Sequence, residues 1–252
     1  MTFLVVLGIA LVHRNWFGGN HVYDLLPLDR FFQIMHGLTT NSVLRFALAV
    51  VLPTMLLFWF GLLIEDWLFG LLNLLLCVFV LLLAIQVLDL DSYKDGLEDG
   101  ITNQLPYLFF QSIFPSLFWF LILGPVGVCF YLLVERYCRY CEETKLDATN
   151  FEKMLHCMEW IPARITGFIF VLLGDFRRGF GAWTDSFADL SLSNAELLNI
   201  VAQASILTQD EFEEDSKVNL DSPPLRWLLE TSVWGWVAFT AVLTIWGWRL
   251  DC

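Results

Sequence analysis

Long apolar runs dominate the pattern of hydrophobic and polar positions along this chain. Residues 46–64 are apolar with Pro53 as the one marked interruption, residues 67–88 carry no charge, and residues 227–248 carry only Glu230. An α-helix needs roughly 20 residues to cross about 30 Å of hydrocarbon. The pattern therefore predicts three membrane-spanning helices, over about 46–64, 67–88 and 227–248.

Another apolar stretch, residues 105–134, is long enough to span but contains several helix-breaking residues. Pro106, Pro115 and the pair Gly124-Pro125 interrupt it. Backbone that is broken at membrane depth must be shielded by protein or water. We therefore expect a broken, re-entrant or hairpin element with its hinge at Gly124 and Pro125, and a single tilted span is the alternative.

The composition supports a membrane protein. Hydrophobic residues make up 57% of the 252 residues, charged residues make up 16%, and the mean hydropathy is +0.63. Soluble domains typically contain about 25% charged residues. Residues 1–12 are also apolar but are shorter than a standard span, so they either insert partly or lie at the membrane interface.

The distribution of basic residues orients the predicted spans. Thirteen of the 14 Lys and Arg occur before residue 46, at Lys94 or between residues 136 and 226, whereas the short connection Glu65-Asp66 has none. Cytoplasmic loops carry an excess of Lys and Arg, so the basic stretches should face the cytoplasm. A hairpin over residues 105–134 would keep both of its ends on that side, which favours the hairpin over a single span.

These features predict an all-α fold, a polytopic integral membrane helical bundle with a broken or re-entrant element and short interfacial helices. We expect a single domain over residues 1–252, embedded in the lipid bilayer, with a cytoplasmic insertion over about 135–226. The net charge of −13 comes largely from acidic runs at residues 89–99 and 210–215. Acidic runs repel phosphates, so nucleic acid is not an expected partner.

Arg164 stands just inside an apolar segment, where a charged side chain is unexpected. Pro162 favours a helix start, and apolar residues follow at helical spacing up to Leu173. The 12 residues from Pro162 to Leu173 would extend only about 18 Å, so we expect a short interfacial helix. Residue chemistry alone favours a snorkelling Arg164 with its guanidinium in the headgroup layer. The alternative is a partly buried Arg164 that pairs with Glu159 or Glu135 at a site for an anionic small ligand.

In the ligand-binding interpretation, Arg164 holds the anionic group and other charged side chains assist or orient it. Ligand occupancy would then move the broken element about Gly124-Pro125. The candidate binding residues are Arg164, Glu159, Glu135, Arg136 and Arg139.

Two cysteines and a His-Cys pair form a weak metal motif. Cys138 and Cys141 lie three positions apart, and His156 and Cys157 follow about one helix later. A zinc ion could take two ligands from each pair, but the second pair is poorly spaced for a regular finger. Cys138 and Cys141 are equally suited to packing on a helix as small apolar side chains. We therefore expect no metal and no cofactor.

The common catalytic motifs are missing from the sequence. It contains no Walker-type phosphate loop, no Rossmann fingerprint, no H-E-x-x-H and no G-x-S-x-G. The expectation therefore leans against an enzyme.

Two stretches carry a family resemblance. Residues 115–131 (PSLFWFLILGPVGVCFY) and 158–167 (MEWIPARITG) resemble the two core motifs of the AmpE proteins. These are inner-membrane modulators of β-lactamase induction and distant relatives of the cobalamin-biosynthesis membrane proteins CobD/CbiB. The resemblance implies a non-enzymatic, multi-pass signalling protein of the bacterial inner membrane that senses cell-envelope status in the antibiotic response. Its expected partner is another membrane or cell-wall-recycling protein.

The sequence departs from the CobD/CbiB pattern just before the first motif. Those relatives carry an Arg-rich and Glu-Asn-x-x-Asp stretch there, which suits an ATP-using ligase, whereas residues 104–114 of this chain have no charge. This departure argues against ligase chemistry. A membrane-bound CobD/CbiB-like ligase and a scaffold subunit of a membrane complex are the alternatives.

Overall fold

The computed structural model describes residues 28–39, 41–64, 75–80, 105–187, 189, 192–206 and 223–245. Within these residues the secondary structure is helical and contains no strand, which confirms the predicted all-α class. The helices are α1 (Leu28–Leu38), α2 (Ser42–Phe46), α3 (Leu52–Ile64), α4 (Leu105–Glu143), α5 (Thr149–Leu173), α6 (Phe176–Phe187), α7 (Asn194–Ile206) and α8 (Pro223–Ile245). A π-helical segment, Ala47–Val51, joins α2 to α3.

Several predicted features lie outside the described residues. These are the apolar segment 1–12, most of the predicted span 67–88, and the acidic runs 89–99 and 210–215.

Three helical segments of the described chain are long and apolar enough to cross a membrane, namely Ser42–Leu63, Leu105–Glu143 and Thr149–Leu173. The first lies at the predicted span 46–64, and most of its side chains are exposed, as expected for a helix that faces lipid. Helix α8, with 23 residues, forms at the position of the predicted span 227–248. The chain is therefore a helical membrane protein.

The 39-residue element α4 is not one straight helix. Gly124 has φ 63° and ψ −150°, a backbone conformation that residues with a Cβ adopt only with strain. A Cβ on Gly127 would lie 2.5 Å from the carbonyl oxygen of Trp119. Eight residues of straight α-helix would instead separate these positions by about 12 Å. The chain therefore turns back at Gly124, which confirms the predicted break and excludes the single tilted span.

The bounds of α5 correct the prediction that a short helix begins at Pro162. The helix begins at Thr149, and Pro162 lies inside it. Before the first turn, Oδ1 of Asp147 accepts hydrogen bonds from the backbone N–H of Thr149 at 3.1 Å and from its hydroxyl at 2.8 Å. These bonds lower the pKa of Asp147 below its ordinary value. A helix of 25 residues extends about 37 Å, so the length argument for an interfacial helix no longer holds.

The chain divides into two compact units. Unit 1 comprises Met1–Leu88, Ser116–Leu155 and Arg249–Cys252, and unit 2 comprises Asp89–Pro115 and His156–Trp248. The single membrane-embedded domain and its cytoplasmic insertion stay predictions.

Aromatic rings form the core of unit 1. Phe46 stacks on Phe151 with the ring centroids 4.4 Å apart. Tyr137 is buried and meets three rings edge-on, those of Phe32, Phe46 and Phe151, at 5.9, 5.5 and 5.4 Å. These contacts attach α1 and α2 to the last turns of α4 and to the first turn of α5.

In unit 2, α8 packs on α5 around the buried ring of Trp236. This ring stacks on Phe114 with the centroids 5.6 Å apart. Its indole N–H donates a hydrogen bond to Oγ1 of Thr166 at 3.1 Å, and the Thr166 hydroxyl donates to the carbonyl oxygen of Pro162 at 2.8 Å. The segment of α5 that carries Pro162 is therefore held from both α4 and α8.

Candidate functional site

Arg164, in the second half of α5, points into unit 2 and is only 2% exposed. Its Nη1 donates a hydrogen bond to Oδ1 of Asn194 at 2.9 Å, and Nη2 donates to the main-chain oxygen of Asp189 at 3.4 Å. The guanidinium carbon lies 4.2 Å from the ring centre of Trp160, which is a cation–π contact. The snorkelling interpretation is therefore wrong. The guanidinium donates its hydrogen bonds to oxygen atoms of Asn194 and Asp189 within unit 2, and not to lipid headgroups or water.

One N–H group of the Arg164 guanidinium makes no hydrogen bond within the described residues. Its Nε is buried and has no hydrogen-bond partner among the described residues. The acidic neighbour that acts on it electrostatically is Asp189, an exposed residue. A buried cation whose hydrogen bonds go to neutral oxygens can still gain a charge-assisted bond to an anion.

Asn194 fixes the position of Arg164 by bridging α5 and α7. The side chain of Asn194 is 2% exposed, accepts the bond from Arg164 and donates from Nδ2 to the main-chain oxygen of His156 at 3.2 Å. Asn194 opens α7, where Ser193 and Glu196 form a reciprocal capping box. The N–H of Glu196 donates to Oγ of Ser193 at 3.2 Å, and Oε2 of Glu196 accepts from the N–H of Ser193 at 3.1 Å. The carboxylate of Glu196 accepts hydrogen bonds from both the N–H and the hydroxyl of Ser193, and these two bonds lower the pKa of Glu196 below its ordinary value.

Glu159 belongs to a second polar cluster of unit 2. It is 1% exposed, its Oε2 accepts a hydrogen bond from the hydroxyl of Tyr107 at 2.7 Å, and its Oε1 accepts one from Nε2 of Gln111 at 3.2 Å. Both donors lie one helical turn apart on the first part of α4. Glu159 is thus held by uncharged donors, and its predicted role of orienting Arg164 stays a prediction.

An apolar groove of about 630 Å³ lies beside Arg164 in unit 2. Helices α5, α6 and α8 form its walls. Of the described residues that line it, Arg164 is the only charged one. The apolar lining includes Ile161, Ile165, Phe168, Leu172, Trp183 and Phe239.

The other predicted binding residues form an ion-pair cluster in unit 1. Glu135 is buried, its Oε1 accepts a hydrogen bond from Nη2 of Arg139 at 2.5 Å, and its Oε2 lies 3.7 Å from Nε of Arg136. This cluster belongs to unit 1, whereas Glu159 and Arg164 belong to unit 2. The help that Arg136 or Arg139 would give Arg164 stays a prediction.

The residues of the weak metal motif divide between the two units in the same way. Cys138 and Cys141 are buried in unit 1, and His156 and Cys157 belong to unit 2. No group of three or more His, Cys, Asp or Glu side chains within the described ranges is placed to hold a metal ion.

Sequence reasoning missed three side chains that build the site, namely Asn194, Tyr107 and Gln111. Ser193 with Glu196 three positions later is a helix-start signal that could have placed Asn194. Tyr107 and Gln111 are two polar residues spaced by four in an apolar run, which puts them on one helix face. No sequence signal pairs either set with α5.

Comparison with known proteins identifies the family. A family model described as "Regulatory signalling modulator protein AmpE" matches residues 85–248, more than half of the chain. The chain belongs to the AmpE family. Its break at Gly124 and its buried Arg164 both lie within the matched region, as the sequence resemblance implied.

Two relatives show how far the likeness extends. Protein AmpE of Shigella flexneri is 25% identical over 154 residues, which cover 58% of this chain and 53% of the relative. Cobalamin biosynthesis protein CobD of Chromobacterium violaceum is 34% identical over 80 residues, which cover 29% of this chain and 25% of that protein. The chain thus spans about half the length of its AmpE relative. No solved structure matches.

Proposed function

We propose that this AmpE-family chain is a non-enzymatic, multi-pass protein of the bacterial inner membrane that modulates β-lactamase induction according to the state of the cell envelope. The family's description as a regulatory signalling modulator supports a regulatory role. The partner would be another membrane protein or a cell-wall-recycling protein. The observation that carries the proposal is a buried Arg164, held mainly by neutral oxygens and bordering a groove.

The contacts of Arg164 suggest how occupancy becomes a signal. A bound anion would form a charge-assisted hydrogen bond with the guanidinium, which is stronger than the bonds to the neutral oxygens of Asn194 and Asp189. The guanidinium would then move toward the anion and weaken its bond to Asn194. Because Asn194 joins α5 to α7, the contact between these helices would loosen. The helix-helix contact is the two-state element that the ligand would bias.

The first prediction concerns signalling by an Arg164→Ala variant. The full chain would be expressed in a bacterial strain that lacks its own AmpE-family protein and carries an inducible β-lactamase reporter. We expect Arg164→Ala to lose most of the effect of the wild-type chain on induction, since the anion-binding group is gone. Arg177→Ala is the matched control, because Arg177 is an exposed arginine of α6 outside the groove.

Membrane levels of both variants would be matched by immunoblotting. An Arg164→Ala chain that reaches the membrane at the wild-type level and signals fully would refute the proposal. Arg164→Lys keeps the charge but not the planar guanidinium, so we expect it to restore only part of the effect.

The similarity to CobD favours a second candidate, a membrane-bound ligase that uses nucleotide. The polar residues Tyr107 and Gln111 of the segment before the first motif donate hydrogen bonds to Glu159, rather than supplying charged groups for a phosphate. Nucleotide hydrolysis by the purified chain, lost on Glu159→Gln, would support the ligase and displace the signalling proposal.

A further inference from the structure

The groove beside Arg164 indicates the chemical class of the ligand. We propose that the groove binds an anionic lipid of the surrounding bilayer, with one acyl chain along α5 and the acidic head group at Arg164. This inference rests on the proposed function in assigning Arg164 as the anion-binding group.

The shape of the groove fits a linear chain. Its lining on α5 runs from Trp160 to Leu173, which are 13 residues and about 20 Å apart along the helix axis. The volume of about 630 Å³ lies within the roughly 300–1,000 Å³ of small-molecule sites. A long apolar wall accommodates an extended hydrocarbon chain better than a compact ring.

The chemistry of the lining excludes a hydrophilic ligand. Apart from Arg164, the described lining residues are aliphatic, aromatic or glycine. A sugar or peptide in this groove would lose its hydrogen bonds to water without replacing them, at about 1–3 kcal/mol for each polar group. An acyl chain has no such groups, so it can fill the groove without leaving a hydrogen bond unmade.

The groove opens where lipid can reach it. Ile161 and Leu172 on α5 and Val242 on α8 line the groove and are also among the exposed apolar residues. Helix α5 is one of the segments long and apolar enough to cross the membrane. A lipid chain can therefore enter sideways from the bilayer without crossing water.

Aromatic rings line the groove on the side of α6. Along α6, the ring of Trp183 lies 5.9 Å from that of Phe180 and 4.8 Å from that of Phe187, and it packs at 5.3 Å on Phe168 of α5. The ring of Trp160 both lines the groove and covers the guanidinium of Arg164 at 4.2 Å. We therefore expect a head group that binds the guanidinium to contact the ring of Trp160.

The inference can be tested by photo-crosslinking. The full chain would be placed in phosphatidylcholine nanodiscs with trace diazirine-labelled phosphatidic acid or with diazirine-labelled phosphatidylcholine of the same chains. We expect about fivefold more label from the phosphatidic acid on peptides covering residues 160–173 and 235–242, since one arginine favours an anionic head group by about this factor. Unlabelled phosphatidic acid should compete, and inorganic phosphate should not.

Three variants separate the head-group and chain contributions. Arg164→Gln should bring the two labels to equal levels, because the charge is lost. Ala238→Trp should lower labelling by both lipids to the level of bulk bilayer contact with the exposed side chains, because Ala238 lines the groove and the added ring fills it. Ala241 is on the same helix but outside the groove lining, so the Ala241→Trp chain should be labelled to the same extent as the wild-type chain.

Two outcomes would overturn the inference. Equal labelling of the wild-type chain by both lipids would show that the head group is not recognised. Competition by inorganic phosphate at millimolar concentration would show that the site takes a free anion instead of a lipid. Specific lipid labelling together with full signalling by Arg164→Ala would leave this inference standing and refute only the proposed function.

Discussion

At the scale of single residues, the site depends on the pair Arg164 and Asn194. Each side chain is almost fully buried, and each is the other's hydrogen-bond partner. Asn194 also satisfies the main-chain oxygen of His156. Burial of a polar group without a partner is costly, so one asparagine stabilises two groups on α5.

An Asn194→Ala variant tests this arrangement. We expect its free energy of unfolding to fall by about 1–3 kcal/mol, because Nη1 of Arg164 and the oxygen of His156 lose their shared partner. Thermal unfolding of the chain in detergent, followed by circular dichroism, would measure the change. The control is Asn199→Ala on the same helix. Asn199 is half-buried and accepts one bond from Gln203, so its loss should cost at most about 0.5 kcal/mol.

Equal stability of the Asn194→Ala and Asn199→Ala variants would contradict the bridging role of Asn194.

The sequence singled out Arg164 correctly as an unusual charge, but it favoured the wrong orientation. Burial of Arg164 depends on Asn194, 30 residues further along the chain, and on the main chain at Asp189. Neither contact leaves a local pattern, because an asparagine or a main-chain carbonyl so far along the chain carries no signal that pairs it with Arg164. The buried state could therefore be stated only as an alternative.

At the scale of helices, the predicted break at Gly124 was confirmed, whereas the predicted helix start at Pro162 was wrong. Gly124 precedes a proline and adopts a positive φ, so both residues favour a break. Pro162 lies in a helix already started by Asp147 and Thr149, and it is buried. Packing thus compensates the lost backbone hydrogen bond, which a single-sequence rule does not include.

The close contact between the end of α5 and α7 gives a prediction at this scale. A Cβ on Gly174 would overlap the carbonyl oxygen of Ser205, which also accepts a hydrogen bond from the N–H of Asp175 at 2.8 Å. We expect Gly174→Ala to lower the free energy of unfolding by about 1–3 kcal/mol, because the two backbones must separate. The same thermal unfolding measurement applies.

Gly181→Ala provides the control, since nothing lies within 4 Å of a Cβ at that position of α6. This change should raise stability by about 0.5–1 kcal/mol, because alanine favours a helix. A Gly174→Ala chain as stable as Gly181→Ala would show that α5 and α7 are not in such close contact.

At the scale of the whole molecule, the hydrophobic pattern was sufficient to predict the class. Long apolar runs and few charges predicted an all-α membrane protein, and the described helices agree. The functional proposal needs more than this pattern. It combines membership of the AmpE family, a buried arginine and an apolar groove within one compact unit.

The central claim is that occupancy of the groove beside Arg164 sets the signal. The most direct measurement is the β-lactamase reporter response, over a range of inducer concentrations, of cells carrying the Ala238→Trp chain. We predict a reporter output that no longer changes with inducer, because the added ring occupies the groove permanently, while Ala241→Trp responds as wild type does. A wild-type dose response from the Ala238→Trp chain at an equal membrane level would contradict the account.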